Sequence, residues 1–129
     1  MAEPFEGKSI MVVDDDNDIL TAIETVFKET GAEVCTASDG NTAVNLAEEK
    51  DLDLLILDAM LPKRSGFLVL EKIKAKRKRG SKPYVIMITA NTGKRHQMWA
   101  ESLGAEDYIN KPFAMEKLLH SAEKLLAKD

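Results

Sequence analysis

The sequence predicts an α/β fold in which one doubly wound parallel sheet is covered by helices on both faces. Five short segments rich in valine, isoleucine and leucine alternate with five segments whose apolar residues recur at helical spacing. The strand segments are apolar toward both faces, as buried parallel strands are. The intervening segments are long enough for right-handed helical crossovers between parallel strands. Together these observations predict a single (βα)5 sheet.

The first βα unit combines a strand at residues 9–13 with an amphipathic helix that ends at Gly31. The second combines a strand at residues 33–37 with a weaker helical pattern, and the third strand follows at residues 54–57. The apolar residues that define the first helix are Ile19, Leu20, Ile23, Val26 and Phe27, and those of the second are Ala43, Val44, Leu46 and Ala47.

The last two strands are predicted at residues 84–88 and 108–110, and the fourth helix near residues 94–103, ending at Gly104. The third helix is defined by Phe67, Leu70 and Ile73, and the fifth by Met115, Leu118, Leu119, Ala122, Leu125 and Leu126. No linker or repeat interrupts the series. We therefore expect one domain over residues 1–129, with a core at about residues 8–127.

The composition indicates a soluble globular chain. Hydrophobic residues make up 44% and charged residues 31%, and no apolar stretch approaches the roughly 18 residues needed to cross a bilayer. Acidic residues and Pro4 near the amino terminus argue against a signal peptide, so we expect a cytoplasmic protein with no membrane insertion. The single cysteine, Cys35, cannot form an internal disulfide and is expected to be a small buried hydrophobic residue.

Polar side chains follow the predicted strands at the points where the strands end. Each has an ordinary structural explanation on its own, such as capping the next helix or forming a turn. Because the carboxyl ends of parallel strands share one edge of the sheet, these side chains are expected to converge there. The set comprises Asp14, Asp15 and Asp16 after the first strand, Asp58 after the third, Thr89 after the fourth and Lys111 after the fifth.

This combination of side chains suits phosphoryl transfer to a carboxylate. Neighbouring carboxylates repel one another unless a hard cation lies among them, and Mg²⁺ prefers oxygen ligands. Asp58 could then attack phosphorus, while Lys111 neutralises charge on the phosphoryl oxygens and the Thr89 hydroxyl donates to one of them. The product would be an aspartyl phosphate.

Four motifs, in this order and spacing, resemble those of the receiver domains of bacterial two-component response regulators. They are Val12-Val13-Asp14-Asp15; Asp58-Ala59-Met60-Leu61-Pro62 with Gly66; Thr89-Ala90; and Tyr108 with Lys111-Pro112-Phe113. The resemblance covers essentially the whole chain and implies the flavodoxin-like strand order 2-1-3-4-5, with a cis peptide bond between Lys111 and Pro112. It implies a phosphoacceptor that catalyses only its own phosphorylation and dephosphorylation. With no output domain, such a receiver would signal through altered protein binding.

The resemblance also implies a metal site around the phosphoacceptor Asp58. Mg²⁺, or Mn²⁺ as the alternative cation, would be bound by Asp15, Asp58 and the backbone carbonyl of Met60, with Asp14 holding a metal-bound water. The acidic triplet also allows the metal pair to be read as Asp15 and Asp16. We adopt Asp14 and Asp15 because the two valines before them define the strand end.

The remaining implied roles concern how the signal is passed on. Lys111 would contact the phosphoryl group, Thr89 would move to bond it, and Tyr108 would change between outward and inward positions. The expected phosphodonor is a histidine kinase or a histidine phosphotransfer protein. A downstream protein would bind the face formed by the fourth helix, fifth strand and fifth helix, where Trp99 either anchors the partner or packs its own helix down.

Two local features bear on the start of the third helix and on the reaction rate. The family often has an aspartate before Gly66, and here Ser65 is expected to cap the helix. Met60 and Asn91 would flank the path of an attacking water. Because a thioether neither orients nor activates water, we expect comparatively slow self-hydrolysis of the phosphoaspartate.

Seven of the 18 lysine and arginine residues lie between Lys72 and Lys82, with no acidic residue among them. Cations at the end of the third helix favour its dipole and Gly80 would stop it, so a solvated helix end is the preferred interpretation. A docking patch for an acidic partner is the alternative, and the absence of interleaved aromatic residues disfavours nucleic acid. His96 and His120 lack the spacing of a metal site or a catalytic triad and are expected at the surface.

Three other classes of protein share parts of this pattern. A haloacid-dehalogenase-type phosphatase also forms an aspartyl phosphate, but its signature has a second aspartate where this chain has Met60. A flavodoxin-like electron carrier would need a loop rich in hydroxyl groups and glycine after the first strand, not three carboxylates. A pseudo-receiver that is never phosphorylated would not need the complete set of Asp15, Asp58, Thr89 and Lys111.

Overall fold

The computed structural model describes residues 3–75, 81–90 and 93–127, and in these ranges five strands alternate with five helices. The strands are β1 (Ser9–Val13), β2 (Glu33–Ala37), β3 (Leu54–Asp58), β4 (Tyr84–Thr89) and β5 (Asp107–Asn110). The helices are α1 (Asn17–Glu29), α2 (Gly40–Glu49), α3 (Gly66–Lys74), α4 (Lys94–Ser102) and α5 (Met115–Leu126). Among the described residues, no helix is both long and apolar enough to cross a bilayer.

All five strands are parallel and form one sheet in the order β2-β1-β3-β4-β5. Buried residues of α1 and α5 pack on one face of the sheet, and those of α2, α3 and α4 pack on the other. Along β1, Ile10 and Val12 contact the first group of helices, whereas Met11 and Val13 contact the second. The predicted doubly wound, flavodoxin-like order 2-1-3-4-5 is confirmed.

Burial differs between the centre and the edge of the sheet. The central strands β3 and β4 are buried along their whole length, as their continuous apolar runs predict. The edge strand β2 is more exposed, and its Cys35 is half-buried rather than fully buried as expected. Desolvation raises the pKa of the Cys35 thiol, which keeps it protonated near neutral pH.

The segment between β3 and α3 passes very close to the strand that it follows. A Cβ atom on Gly66 would lie 2.1 Å from the backbone oxygen of Asp58, so only glycine fits where α3 begins. The amide of Gly66 donates to the carbonyl oxygen of Ala59 at 2.9 Å. The hydroxyl of Ser65 accepts from the amide of Leu68 at 3.3 Å, which confirms Ser65 as the cap of α3. These contacts hold the start of α3 against the end of β3.

Two X-Pro peptide bonds are cis. One is the bond between Lys111 and Pro112, as expected, and the other is the bond between Lys82 and Pro83, which the sequence did not lead us to expect. The amide of Lys111 donates to the carbonyl oxygen of Thr89 at 2.7 Å. The residue that follows β5 is therefore aligned with the end of β4.

A buried ion pair links the end of α3 to the segment before β5. The ammonium of Lys74 lies 2.9 Å from Glu106, and their side chains are only 8% and 12% exposed. Glu106 Oε1 also accepts from the amide of Val85 at 2.6 Å, and Lys74 donates to the carbonyl oxygen of Ser81 at 3.1 Å. One carboxylate therefore joins α3 to the start of β4.

For Lys74, these contacts correct the interpretation of the basic run as a solvated helix end. The Lys74 side chain is only 8% exposed and is paired with Glu106. Lys82 is also paired, with its ammonium 2.8 Å from Asp53. Residues 76–80, and with them the stop expected at Gly80, lie outside the described residues.

Replacing Glu106 with alanine should lower the free energy of unfolding by about 3 kcal/mol, because the Lys74 ammonium would stay buried without its partner. Urea unfolding at neutral pH measures this loss. The control is Glu24→Ala on α1, which removes an exposed pair with Lys28 at 3.1 Å and should cost at most about 0.5 kcal/mol. Equal losses in the two variants would contradict the structural importance of the buried pair.

Candidate functional site

The ends of β1 and β3 bring three carboxylates together. Asp14 and Asp15 follow β1 directly, and Asp58 is the last residue of β3. One carboxylate oxygen of each residue lies within 4.8 Å of the others. Asp14 and Asp58 are buried, whereas Asp15 is exposed. The structure therefore places three of the predicted aspartates at one edge of the sheet.

Asp16 caps α1 and is not part of this group of three carboxylates. Its carboxylate accepts from the amides of Asp18 at 2.9 Å and Ile19 at 3.3 Å, and so caps α1. The amide of Asp16 in turn donates to Asp14 at 2.9 Å, which shapes the turn between strand and helix. This geometry favours Asp14 and Asp15, not Asp15 and Asp16, as the acidic pair of the site.

Lys111 follows β5 and reaches past the end of β4 to the carboxylates. Its ammonium lies 2.9 Å from Asp14 Oδ2 and 3.3 Å from Asp58 Oδ2. Desolvation opposes the charged form of Lys111, but the hydrogen bond to Asp14 and the charges of both carboxylates outweigh it and raise the pKa. Lys111 is therefore a cation at neutral pH, already in contact with two acids.

The pKa of the Asp58 carboxyl is raised to about 6. Desolvation at the end of a buried strand is the largest cause, and the neighbouring charge of Asp14 adds to it. A hydrogen bond from the amide of Met60 at 3.1 Å and the ammonium of Lys111 act in the opposite direction. Ionising Asp58 thus costs free energy, and a divalent cation beside it would reduce that cost.

Thr89 and Tyr108 connect the site to the neighbouring strand. Thr89 is buried at the end of β4, and Tyr108 is half-buried on β5, where it packs against the core. Burial raises the pKa of the Tyr108 hydroxyl, and a side-chain hydrogen bond with Thr89 opposes that shift. The side chain of Thr89 at the sheet edge is therefore hydrogen-bonded to Tyr108, which lies nearer the surface.

The donor set at this edge fits a hard divalent cation. The three carboxylates that converge beside Lys111 are oxygen ligands, two of them from buried residues, and the raised pKa of Asp58 shows that ionising it is costly there. Among the described residues, this is the one group of three or more potential metal ligands within such distances of one another. A site for Mg²⁺ is consistent with this chemistry.

A sequence model of the response regulator receiver domain matches residues 10–123. All the site residues described above fall within the matched range. This chain belongs to the response regulator receiver domain family. Membership places it in two-component signal transduction.

Solved receiver domains have the same fold as this one. The chain resembles the receiver domain of the Francisella response regulator 1452, at 26% identity and a TM-score of 0.86, over 95% of this chain and 98% of that one. It also resembles a CheY-like receiver domain protein from Methanospirillum hungatei, at 29% identity and a TM-score of 0.87, over 94% of each chain. The receiver domain of a sensor histidine kinase from Pseudomonas aeruginosa is 28% identical, with a TM-score of 0.82 over 94% of this chain and 98% of that one, and has a magnesium ion coordinated in its active-site cleft.

In this receiver domain, Trp99 lies against α3. Its indole stacks on Phe67, with ring centroids 4.3 Å apart and an interplanar angle of 6°. This contact agrees with the alternative that Trp99 packs its own helix down, and 47% of the residue still remains exposed. His96 is half-buried with its ring 5.8 Å from Phe67, so it is not the isolated surface residue expected, whereas His120 is exposed.

Two contacts of the site were not anticipated from the sequence. One is the bond from the backbone amide of Met60 to Asp58. The other is at Gly40, where a Cβ atom would lie 2.1 Å from the backbone oxygen of Arg64, so that α2 supports the loop after β3. A glycine at a helix start was the only signal of this contact. The side chain of Met60 is 62% exposed, and Asn91 lies outside the described residues.

In metal-free solution, Asp58→Asn should raise the free energy of unfolding near neutral pH by on the order of 2 kcal/mol, because it removes a charge whose pKa is raised to about 6. The folded-state pKa exceeds the unfolded value, so the cost of ionised Asp58 is absent below about pH 4 and fully present above about pH 6. The advantage of the variant should therefore shrink as the pH falls through this window. Urea unfolding in the presence of a chelator measures it.

The matched control for this prediction is Asp15→Asn, which removes an exposed charge from the same cluster. It should change stability by less than half as much. A gain in Asp58→Asn that did not vary with pH would show that the raised pKa of Asp58 is not its cause.

Proposed function

We propose that this chain is a stand-alone receiver that accepts a phosphoryl group at Asp58 from the phosphohistidine of a histidine kinase or histidine phosphotransfer protein. The modification would change its binding to a downstream protein. The observation that supports this most directly is the contact of the Lys111 ammonium with both Asp14 and Asp58, beside a third carboxylate. This arrangement places a cation next to the nucleophile before a phosphoryl group arrives.

We infer that Mg²⁺, or Mn²⁺, would be held by the carboxylates of Asp15 and Asp58 and the backbone carbonyl of Met60, with Asp14 acting through a water. The inference rests on the separation of the carboxylate oxygens, within 4.8 Å, and on the raised pKa of Asp58. When bound, the cation supplies positive charge to the phosphoryl oxygens.

Asp58 acts as the nucleophile in its ionised form. One carboxylate oxygen forms a bond to phosphorus while the P–N bond to the donor imidazole breaks, and the electron pair leaves with the histidine nitrogen. The ammonium of Lys111, 3.3 Å from Asp58 Oδ2, neutralises charge on the phosphoryl group. Because the pKa of Asp58 is about 6, most molecules hold an ionised nucleophile at neutral pH even without further positive charge.

Thr89 and Tyr108 would report the modification. The Thr89 hydroxyl donates to a phosphoryl oxygen, and this reorientation changes its hydrogen bond with Tyr108. The ring of Tyr108 could then change between inward and outward positions and alter the face formed by α4, β5 and α5. We propose this face as the binding site of the downstream protein.

Two other functions fit the chain less well. A pseudo-receiver that is never phosphorylated has no need for a lysine that contacts two carboxylates beside a buried threonine. A haloacid-dehalogenase-type phosphatase needs an acid where this chain has Met60, and an exposed thioether has no proton to donate. Absence of any phosphoryl adduct in the experiment below would favour the pseudo-receiver.

Incubation with acetyl phosphate and Mg²⁺ should add the mass of one phosphoryl group to the wild-type chain and none to Asp58→Asn. Lys111→Ala should slow the reaction by at least about tenfold, because it removes a cation that faces the phosphoryl oxygens. Intact-mass spectrometry over time measures both. Lys117→Ala, on the exposed side of α5, is the matched lysine control and should react like wild type. Equal labelling of Asp58→Asn would refute Asp58 as the acceptor.

Met60→Asn should shorten the lifetime of the phosphoaspartate several-fold, because an amide can orient an attacking water and an exposed thioether cannot. The measurement is the loss of the phosphoryl mass after the donor is removed. The control is Leu68→Asn, which introduces the same amide at another exposed apolar position, on α3. An unchanged or longer phosphoaspartate lifetime in Met60→Asn would refute the hypothesis that Met60 slows its hydrolysis.

A further inference from the structure

Trp99, Phe67 and His96 form an aromatic surface where α3 meets α4, which we call the Trp99 surface. The Trp99 indole lies nearly parallel to the Phe67 ring, with centroids 4.3 Å apart. The His96 ring leans on the same phenylalanine at 5.8 Å. Because Phe67 is buried in the core, the indole rests on a support that cannot easily move.

One face of the Trp99 indole is covered, and much of the rest of the ring is open to solvent. Phe67 covers one face, since the rings are 6° from parallel, yet 47% of Trp99 remains exposed. An aromatic ring held rigidly in this way can bind a planar or apolar side chain with little further loss of conformational entropy. Trp99 therefore has the properties of an interface anchor.

The first turn of α4, which precedes Trp99, is basic. Arg95 lies one helical turn before Trp99, on the same side of α4, and Lys94 is the first residue of the helix. Both are exposed. The first turn of α4 carries no acidic residue, and its N-cap, Gly93, has no side chain to cap the helix. Two cations at a helix N-terminus oppose the helix dipole, so a negative partner is favoured beside the Trp99 surface.

The acidic residues of α3 and α4 do not cancel this charge. Glu101 is hydrogen-bonded to Gln97 at 3.1 Å, and the helical period puts both on the side of α4 away from Trp99. Glu71, on α3, lines a shallow groove together with Lys72, which balances it. The Trp99 surface is thus locally basic on a chain whose formal net charge is −4.

We propose that the Trp99 surface docks an acidic protein segment that carries an aromatic side chain. The aromatic side chain of the partner packs on the exposed part of Trp99, and its carboxylates pair with Arg95 and Lys94. This surface lies on the α3 side of α4 and is distinct from the face of α4, β5 and α5. Docking does not require phosphorylation of Asp58, so the two proposals can fail independently.

Charge argues for a protein segment over a single-stranded nucleic acid, which would also offer negative charge and planar rings. The sheet edge from which α4 begins carries the carboxylates of Asp14, Asp15 and Asp58. These acids and the net charge of −4 repel a continuous polyphosphate. A short segment with a few carboxylates meets less repulsion and can place them beside Arg95 and Lys94 without approaching the acidic edge.

The test uses a synthetic peptide in which one phenylalanine is flanked by glutamates. Its titration should change the fluorescence of Trp99, the only tryptophan, and shift the NMR signals of α4 amides. Alanine in place of the peptide's phenylalanine, or Trp99→Ala in the chain, should weaken binding at least about tenfold. Lys94→Gln combined with Arg95→Gln should weaken it about fivefold and remove most of its salt dependence.

Matched control variants distinguish binding at the Trp99 surface from nonspecific binding of the peptide. Leu68→Ala removes an apolar side chain of similar exposure, 50%, and Lys28→Gln with Lys50→Gln removes two exposed charges elsewhere; both should keep the affinity within about twofold. The peptide should bind the wild-type chain in the absence of any phosphodonor. Unchanged binding by Trp99→Ala, unchanged binding of the alanine peptide, or tighter binding of single-stranded DNA than of the peptide would each overturn the proposal.

Discussion

The carboxyl edge of the sheet concentrates negative charge, and the ammonium of Lys111 is the interaction that makes this possible. Asp14 and Asp58 are buried, and in a medium of low dielectric constant two carboxylates repel each other strongly unless a cation lies between them. Lys111 donates to one oxygen of each and so joins the ends of β1, β3 and β5. The raised pKa of Asp58 shows that this one cation does not fully compensate for burial. The site therefore retains an affinity for further positive charge.

The same edge of the sheet sets the position of α3, and α3 in turn supports the outer surface of α4. Gly66 packs directly on the backbone of Asp58. The ring of the next residue, Phe67, stacks against the indole of Trp99. Because a tightly packed contact cannot be compressed, a backbone shift at the end of β3 must move the first turn of α3 or break the contact at Gly66. Contiguous packing of this kind provides a physical route between the carboxylates and the Trp99 surface.

Much of the fold and of the site could be predicted because the signals are local. A continuous apolar run marks a buried parallel strand, and the residue that ends it must lie at the sheet edge, as Asp58 does. Contacts between distant segments leave no such signal. Lys74 and Glu106 are 32 residues apart. Lys74 also belongs to a basic segment for which the sequence predicts a solvated helix end. The side of α4 on which Trp99 lies is set by the burial of its neighbour, Ala100. The sequence of α4 has so few apolar residues that it does not predict which side is buried.

If Asp58 is phosphorylated as proposed, the signal must leave the site through contacts rather than through the electric field. An aspartyl phosphate carries about one more negative charge than the aspartate, and that charge forms beside Lys111. Physiological salt screens charges over about 8 Å, so a protein bound to α4 or β5 would sense little of the remainder. The Thr89 hydroxyl, by contrast, has a single proton, and donating it to a phosphoryl oxygen fixes the orientation of the hydroxyl that is bonded to Tyr108. In the proposed switch, turning the Thr89 hydroxyl toward the phosphoryl oxygen changes its hydrogen bond with Tyr108, so the signal depends on a hydroxyl at the end of β4 rather than on a change in net charge.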